Sequence, residues 1–305
     1  MFVCTLIGSP AASAVTGARV AAVQAALEAT GHRPGKPVWL AAKVACDIPF
    51  TLDGQGDASG EAPLNADASA RAALGAAPID VAVMPSADRA KHVLVADMDS
   101  TVVTGETLDE MAAVLGLKDR IAAITARAMN GELDFEAALR ERVGLLAGLP
   151  ETDVRATLDR VGLTPGAQTL VRTMRAKGAH TVLVSGGFTA IAEPVAAWCG
   201  FDEVVANELL FENGVLSGDV TTPIVDKAVK DRVLADAARR RGVDVSAACA
   251  VGDGANDLPM LSRAGLGVAF HAKPAVRAAA PIRIEHGDLT ALLYLQGFPD
   301  SAFCS

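Results

Sequence analysis

Aromatic side chains are scarce in this 305-residue chain, at 4% of the composition with a single tyrosine. With hydrophobic residues at 51%, the core must be built from Ala, Val and Leu, which suits helices packed on a parallel sheet. Excess basic charge is absent as well. The net charge is -9 and Lys and Arg are scattered among acids, which argues against non-specific nucleic-acid binding. The five cysteines (Cys4, Cys46, Cys199, Cys249 and Cys304) lie far apart without metal-like spacing. They read as reduced thiols of a cytoplasmic protein. No apolar run approaches the roughly 20 residues of a membrane span. Phe2 to Gly8 followed by Ala12-Ser13-Ala14 imitates a signal peptide, but no Lys or Arg precedes the stretch and it is short for an h-region.

What the chain does have is Val93-Leu94-Val95-Ala96-Asp97-Met98-Asp99-Ser100-Thr101. An apolar run ends in two carboxylates two positions apart, then two hydroxyls. A buried parallel strand is nearly continuous in apolar residues, and its carboxyl end opens onto the ligand crevice of an α/β sheet. Asp and Ser are also common turn residues, so the stretch alone admits an ordinary strand-to-turn transition.

Around it the pattern divides. Residues 1–86 read as a small α+β unit: a strand over Phe2–Ile7, a helix over Ala18–Ala29, a second strand within Val38–Ile48 and a last one over Ile79–Met84. Leu52 to Asp67 reads as a mobile loop, and His32 and the loop aspartates as solvent-facing. Residues 87–305 alternate strands and helices, the rhythm of a doubly wound parallel sheet. Thr181–Val184, Ala247–Val251, Leu266–Ala269 and Ile282–Ile284 supply further strands, with helices over Ala167–Met174 and Asp226–Arg241. A helix-only insertion at about 106–163 reads as a cap over the strand ends. About 207–225 reads as a hairpin turning at Glu212-Asn213-Gly214.

Four polar clusters fall at element ends: Asp97 with Asp99, Ser185-Gly186-Gly187-Phe188, Lys230, and Gly252-Asp253-Gly254-Ala255-Asn256-Asp257. Strand carboxyl ends of a parallel sheet face one way, so the strand-borne clusters converge. They supply an anionic nucleophile, an acid/base, donors for phosphoryl oxygens, a fixed cation and carboxylates for a hard metal ion.

In that order the clusters resemble the four motifs of the haloacid dehalogenase superfamily, and more narrowly its phosphoserine phosphatase branch. The resemblance covers roughly residues 88–295 and implies a Rossmann-like core with a helical cap. It implies hydrolysis of O-phospho-L-serine, the last step of serine biosynthesis. By that resemblance Asp97 attacks phosphorus, Asp99 is the acid and then the base, and Lys230 neutralises charge, with Lys227 its rival. Ser185, Gly186, Gly187 and Asn256 hold the phosphate. Asp97, the Asp99 carbonyl and Asp253 hold Mg²⁺, with Asp257 behind them. Glu106 and Arg142 bind the ammonium and carboxylate of the substrate, Phe135 shields the site, and Arg140 competes with Arg142. The chemistry agrees, since a zwitterion needs one anionic and one cationic partner.

Transfer of the phosphoryl group to another hydroxyl, such as that of homoserine, stays open, as does another phosphomonoester such as phosphoethanolamine. The amino-terminal unit faintly resembles an ACT-type amino-acid-binding module; packing or homodimerisation is an equal alternative.

Overall fold

The computed structural model describes residues 1–52, 61–129 and 132–304. Gly131 and Asn130 of the cap, and Asp53 and Asp57 of the expected loop, lie outside the described residues.

Six strands form one wholly parallel sheet, in the spatial order Glu203–Asn207, His180–Phe188, Val93–Asp97, Ala248–Gly252, Leu266–Phe270, Ile282–Ile284. The chain runs outward from Val93–Asp97 to one edge and then returns to its other side. The order therefore reverses beside Asp97, where an open α/β sheet forms its crevice. Both sheet faces are covered, as a parallel sheet requires. On one face Leu94, Ala96, Leu183, Cys249 and Val251 pack against the helices Ala167–Ala176 and Thr189–Cys199. On the other, Val93, Val95, Val182, Val184 and Ala250 meet Leu234 and Ala237 of Lys227–Arg240 and Met260 of Leu258–Arg263. At Gly267 a β-carbon would overlap the Leu261 carbonyl, so only glycine lets that helix close on its strand.

The insertion is a cap of helices Thr107–Val114, Lys118–Met129, Phe135–Gly144 and Glu151–Ala156. Its two ends are clipped together by the antiparallel pair Val103–Thr104 and Gly162–Leu163, which the pattern did not suggest. Met111, Ile121, Leu139, Val143 and Val154 bury the helices' inner faces. A hairpin, Leu209–Glu212 with Val215–Val220, packs on the Phe135–Gly144 helix. Asn213 and Gly214 both have positive φ (52° and 81°), the conformation that a tight hairpin turn demands.

The amino-terminal part is a second sheet, ordered His32–Pro34, Ala45–Leu52, Phe2–Gly8, Ile79–Pro85, with Val38–Ala41 also paired to Ala45–Leu52. Helices Gly17–Ala29 and Glu61–Leu74 cover one face in a β-α-β-β-β-α-β order. Three expectations need correction. The Val38–Ile48 region holds two strands rather than one, because Ala41 to Ala45 folds back as a turn. From Glu61 to its end at Asp67 the expected loop is helical, part of the helix Glu61–Leu74 that buries Ala66, Ala70 and Leu74 in the unit's core. Asp67 there pairs with Arg71 at 2.7 Å. His32 is buried, 5% exposed, with Nδ1 3.0 Å from Thr30 Oγ1 and its ring edge-on to Phe50.

The sheet's other face joins the large core through Ile7, Ala45 and Ala82. Arg89 ties the antiparallel sheet to the helix Ala291–Leu295 of the larger unit: it donates to Asp47 and to Thr5 Oγ1 (3.1 Å) on one side, and to the carbonyls of Tyr294 (2.9 Å) and Leu295 (2.9 Å) on the other.

Candidate active site

Asp97 closes its strand with the carboxylate 6% exposed, and Met98 N donates to Oδ1 at 2.8 Å. Lys230 arrives from the first turn of its helix. Asp226 caps that turn by accepting from Ala228 N and Val229 N, both at 2.9 Å. The Lys230 ammonium is 1% exposed, 2.6 Å from Asp97 Oδ1 and 2.7 Å from Asp257 Oδ1. Lys227, one turn earlier, faces solvent. Asp253 follows the Ala248–Gly252 strand; Thr101 Oγ1 donates to it at 3.4 Å, and Lys273 Nζ lies 3.8 Å away. Asp257 accepts from Gly254 N at 3.0 Å. A β-carbon at Gly252 would strike the Asp257 side chain, so the strand exit has to be glycine there.

Three carboxylates, Asp97, Asp253 and Asp257, thus bring oxygens within 4.8 Å of one another in a buried pit. One ammonium does not balance them. Burial pushes the Asp97 carboxyl well above its ordinary range, with Lys230 working against it. Burial likewise raises Asp253 to about 6 against the pull of Lys273. For Lys230, burial disfavours the ammonium, but Asp97 and Asp257 outweigh it and hold its pKa above the usual value. An all-oxygen, net-negative, buried donor set fits a hard divalent cation.

Asp99 sits on the rim. Thr107 N, at the start of the first cap helix, donates to its Oδ1 at 2.8 Å, and Ser185 Oγ to its Oδ2 at 3.4 Å. Burial raises its pKa to about 6, opposed by the Thr107 N–H. Ser185 Oγ also accepts from Gly187 N at 2.8 Å. A β-carbon on Gly187 would come within 3.0 Å of Asp99 Oδ2 and Ser185 Oγ, so this turn has no room for a side chain. The Phe135 ring lies directly over Gly186. Asn256 is half-buried beside Gly254.

At the cap side, Glu106 accepts from Ser100 Oγ at 3.1 Å. Arg142 is half-buried, donates to the Ala138 carbonyl at 3.1 Å and lies within electrostatic reach of Glu106 and Asp109. Burial lowers its pKa and those two carboxylates oppose the shift. Arg140 turns outward to Glu136 and Asp219.

Two contributors escaped the sequence. Thr107 holds Asp99 by a backbone N–H, which no side-chain pattern announces. Asn207 is 2% exposed; its Nδ2 donates to Gly186 O and its Oδ1 accepts from Val225 N, both at 2.8 Å. It braces the Ser185–Phe188 turn, and its only signal was a polar residue ending an apolar strand.

A family model described as haloacid dehalogenase-like hydrolase matches residues 94–262. The phosphoserine phosphatase SerB2 of Mycobacterium tuberculosis is 46% identical over 221 residues, 72% of this chain and 54% of that protein. The phosphoserine phosphatase of Streptomyces coelicolor is 41% identical over 295 residues, 96% of this chain and 70% of that protein. The chain therefore spans about half the length of the first relative and over two thirds of the second. The unliganded crystal structure of a probable phosphoserine phosphatase from Vibrio cholerae superposes with a TM-score of 0.77 at 29% identity, over 98% of this chain and 88% of that one. The chain belongs to the haloacid dehalogenase-like hydrolase family, in its phosphoserine phosphatase branch.

Proposed function

We propose that this chain is a cytoplasmic, Mg²⁺-dependent phosphoserine phosphatase that makes L-serine and inorganic phosphate in serine biosynthesis. The observation that carries the proposal is the Asp97–Lys230–Asp257 contact beside Asp253, a buried nucleophile held between a fixed cation and spare carboxylates.

Asp97 forms a bond to phosphorus as the bond from phosphorus to the serine oxygen breaks. Asp99 gives its proton to the leaving alkoxide and then takes one from the water that hydrolyses the aspartyl-phosphate. A carboxyl raised to about 6 suits both duties near neutral pH. Lys230 neutralises the nucleophile and phosphoryl oxygens. Ser185, the Gly186 amide and Asn256 hold those oxygens, and Gly187 leaves them room. Asp97, the Asp99 carbonyl and Asp253 would hold Mg²⁺, with Asp257 steering Lys230. The ion supplies charge stabilisation at the phosphoryl group. Glu106 and Arg142 meet the ammonium and carboxylate of the substrate, and Phe135 shields the crevice. Residues 1–86 are proposed as a separate folding unit from 87–305, with the cap at about 106–163.

Phosphate release from O-phospho-L-serine, phosphoethanolamine and p-nitrophenyl phosphate tests the reading, with Mg²⁺ or EDTA and with Arg142→Ala beside the parent. Preference for phosphoserine that needs Mg²⁺ and drops in Arg142→Ala supports it. Equal rates on phosphoethanolamine, untouched by Arg142→Ala, would overturn the substrate. Phosphoryl transfer to added homoserine at the expense of free phosphate would favour a transferase.

A further inference from the structure

The amino-terminal sheet sends one buried carboxylate into the parallel-sheet unit. Asp80, on the Ile79–Pro85 strand, is 3% exposed. Its Oδ1 accepts from Glu285 N at 2.8 Å, and its Oδ2 from His286 N at 3.0 Å and Gly287 N at 2.8 Å. These three N–H groups belong to the segment leaving the last strand, Ile282–Ile284. The same segment is tied to the exit of the neighbouring strand. His271 N donates to Ile284 O at 2.8 Å, and His271 Nε2 donates to Gly287 O at 2.8 Å. His271 itself has φ of 44°, an uncommon conformation for a residue with a side chain, so its surroundings must hold it there.

Two residues further on, the strand exit reaches the carboxylate pit. Lys273 N donates to Asp253 O at 3.2 Å, and Lys273 Nζ lies 3.8 Å from Asp253 Oδ2. Hydrogen bonds therefore link Asp80 to Gly287 and Gly287 to His271, and the backbone from His271 to Lys273 carries the line on to Asp253 at the edge of the pit. Arg89, a second polar tie between the two units, ends on the carbonyls of Tyr294 and Leu295, which are not among the site residues.

We propose that Asp80 is a positioning residue, acting through Gly287 and His271 to fix the Lys273–Asp253 edge of the site. The amino-terminal unit is then a working part of the active site's scaffold. Asp80 offers two accepting oxygens to three N–H groups. An amide in its place would set an NH₂ against one of those donors and loosen the segment. His271→Asn keeps a residue that tolerates positive φ but is too short to reach Gly287 O.

The test uses the metal-free full chain and its Asp80→Asn, His271→Asn and Arg89→Lys variants. Amide hydrogen exchange is read over residues 271–276 and 285–290 without metal, and kcat and KM are read with O-phospho-L-serine after Mg²⁺ is added. The kinetic arm rests on the phosphatase reading; the exchange arm does not. We expect Asp80→Asn and His271→Asn to speed exchange over 271–276 by about 2- to 30-fold, the range of a transmitted coupling. kcat should fall within the same range, with KM changed by less than about twofold. Arg89→Lys should leave the 271–276 segment unchanged. Unchanged exchange there in Asp80→Asn, or an equal rise in Arg89→Lys, would overturn the proposal and leave Asp80 as a docking contact. A parent inert on phosphoserine would sink the substrate reading alone, and exchange would still decide the role of Asp80.

Discussion

In the parallel sheet, Asp97, Asp253, Asp257 and Lys230 are buried together, three carboxylates against one ammonium. In the antiparallel sheet, Thr5, Asp47 and His32 are equally buried but individually partnered: Thr5 Oγ1 donates to Asp47 Oδ1 at 2.6 Å, Arg89 pairs with Asp47, and His32 meets Thr30. Buried polar groups that satisfy one another hold a fold together. A buried cluster left with surplus charge is held by the fold in readiness for something else. The contrast lies in how completely the buried charges are balanced, since the polar groups of both regions are buried.

The sharpest way to break the comparison is Asp97→Asn. If the pit is chemical rather than structural, phosphate release falls by about 10⁴-fold or more, the scale of losing a nucleophile. The thermal midpoint should stay level or rise, because one crowded carboxylate is gone. A folding defect that accounts for the lost activity would place Asp97 with the structural group. Lys230→Met should next remove both properties. Stranding Asp97 and Asp257 costs about 3–5 kcal/mol, as when one partner of a buried ion pair is deleted. Urea unfolding would show it as a lower midpoint, and turnover should vanish at any Mg²⁺ concentration.

Thr5→Val probes the other sheet. Losing the hydrogen bond to Asp47 costs about 1 kcal/mol while Arg89 still covers the carboxylate. kcat on phosphoserine should be unaffected, and a tenfold loss would show that the two regions are not separable in this way.

The smallest effect concerns the thiols. Burial disfavours the thiolate and so raises each pKa: to about 12 for Cys46 and Cys249, to about 11 for Cys199, and for Cys4 upward as well. At pH 8 all four remain protonated, and moving to pH 9 leaves them so. Ellman's reagent should therefore find only the half-buried Cys304 in native protein, and all five thiols after guanidinium unfolding. A second fast-reacting thiol would show that one of the two cores opens easily.

How much of this was legible in the sequence follows the same division. Strands such as Val93–Asp97 and Ala248–Gly252 are short apolar runs ended by Asp or Gly, so both the element and its functional end show in one stretch. Helix amphipathicity marked the Lys227–Arg240 helix, and on it Lys230 is buried while Lys227 is exposed. In the antiparallel sheet the signal failed where local composition misled. The start of Glu61–Leu74 reads as a loop as far as Asp67, whereas the helix is held by the Asp67–Arg71 pair and by burial of Ala66 and Ala70 in the core. His32 is buried because Phe50 and Leu27 surround it, partners distant in sequence or hidden in a helix. At the site, side-chain chemistry was readable and backbone chemistry was not. The Thr107 N–H on Asp99 and the three N–H groups on Asp80 depend on where loops lie, which residue types do not encode.

The central claim is that Asp97 carries the phosphoryl group. It is tested most directly by quenching the enzyme during turnover of O-phospho-L-serine, reducing it with borohydride and mapping the peptides. An acyl phosphate is reduced to the alcohol, so the account predicts homoserine at position 97 in the presence of Mg²⁺, and none in Asp97→Asn or without substrate. Turnover with position 97 intact, or with the modification at Asp99 or Asp253, would contradict it.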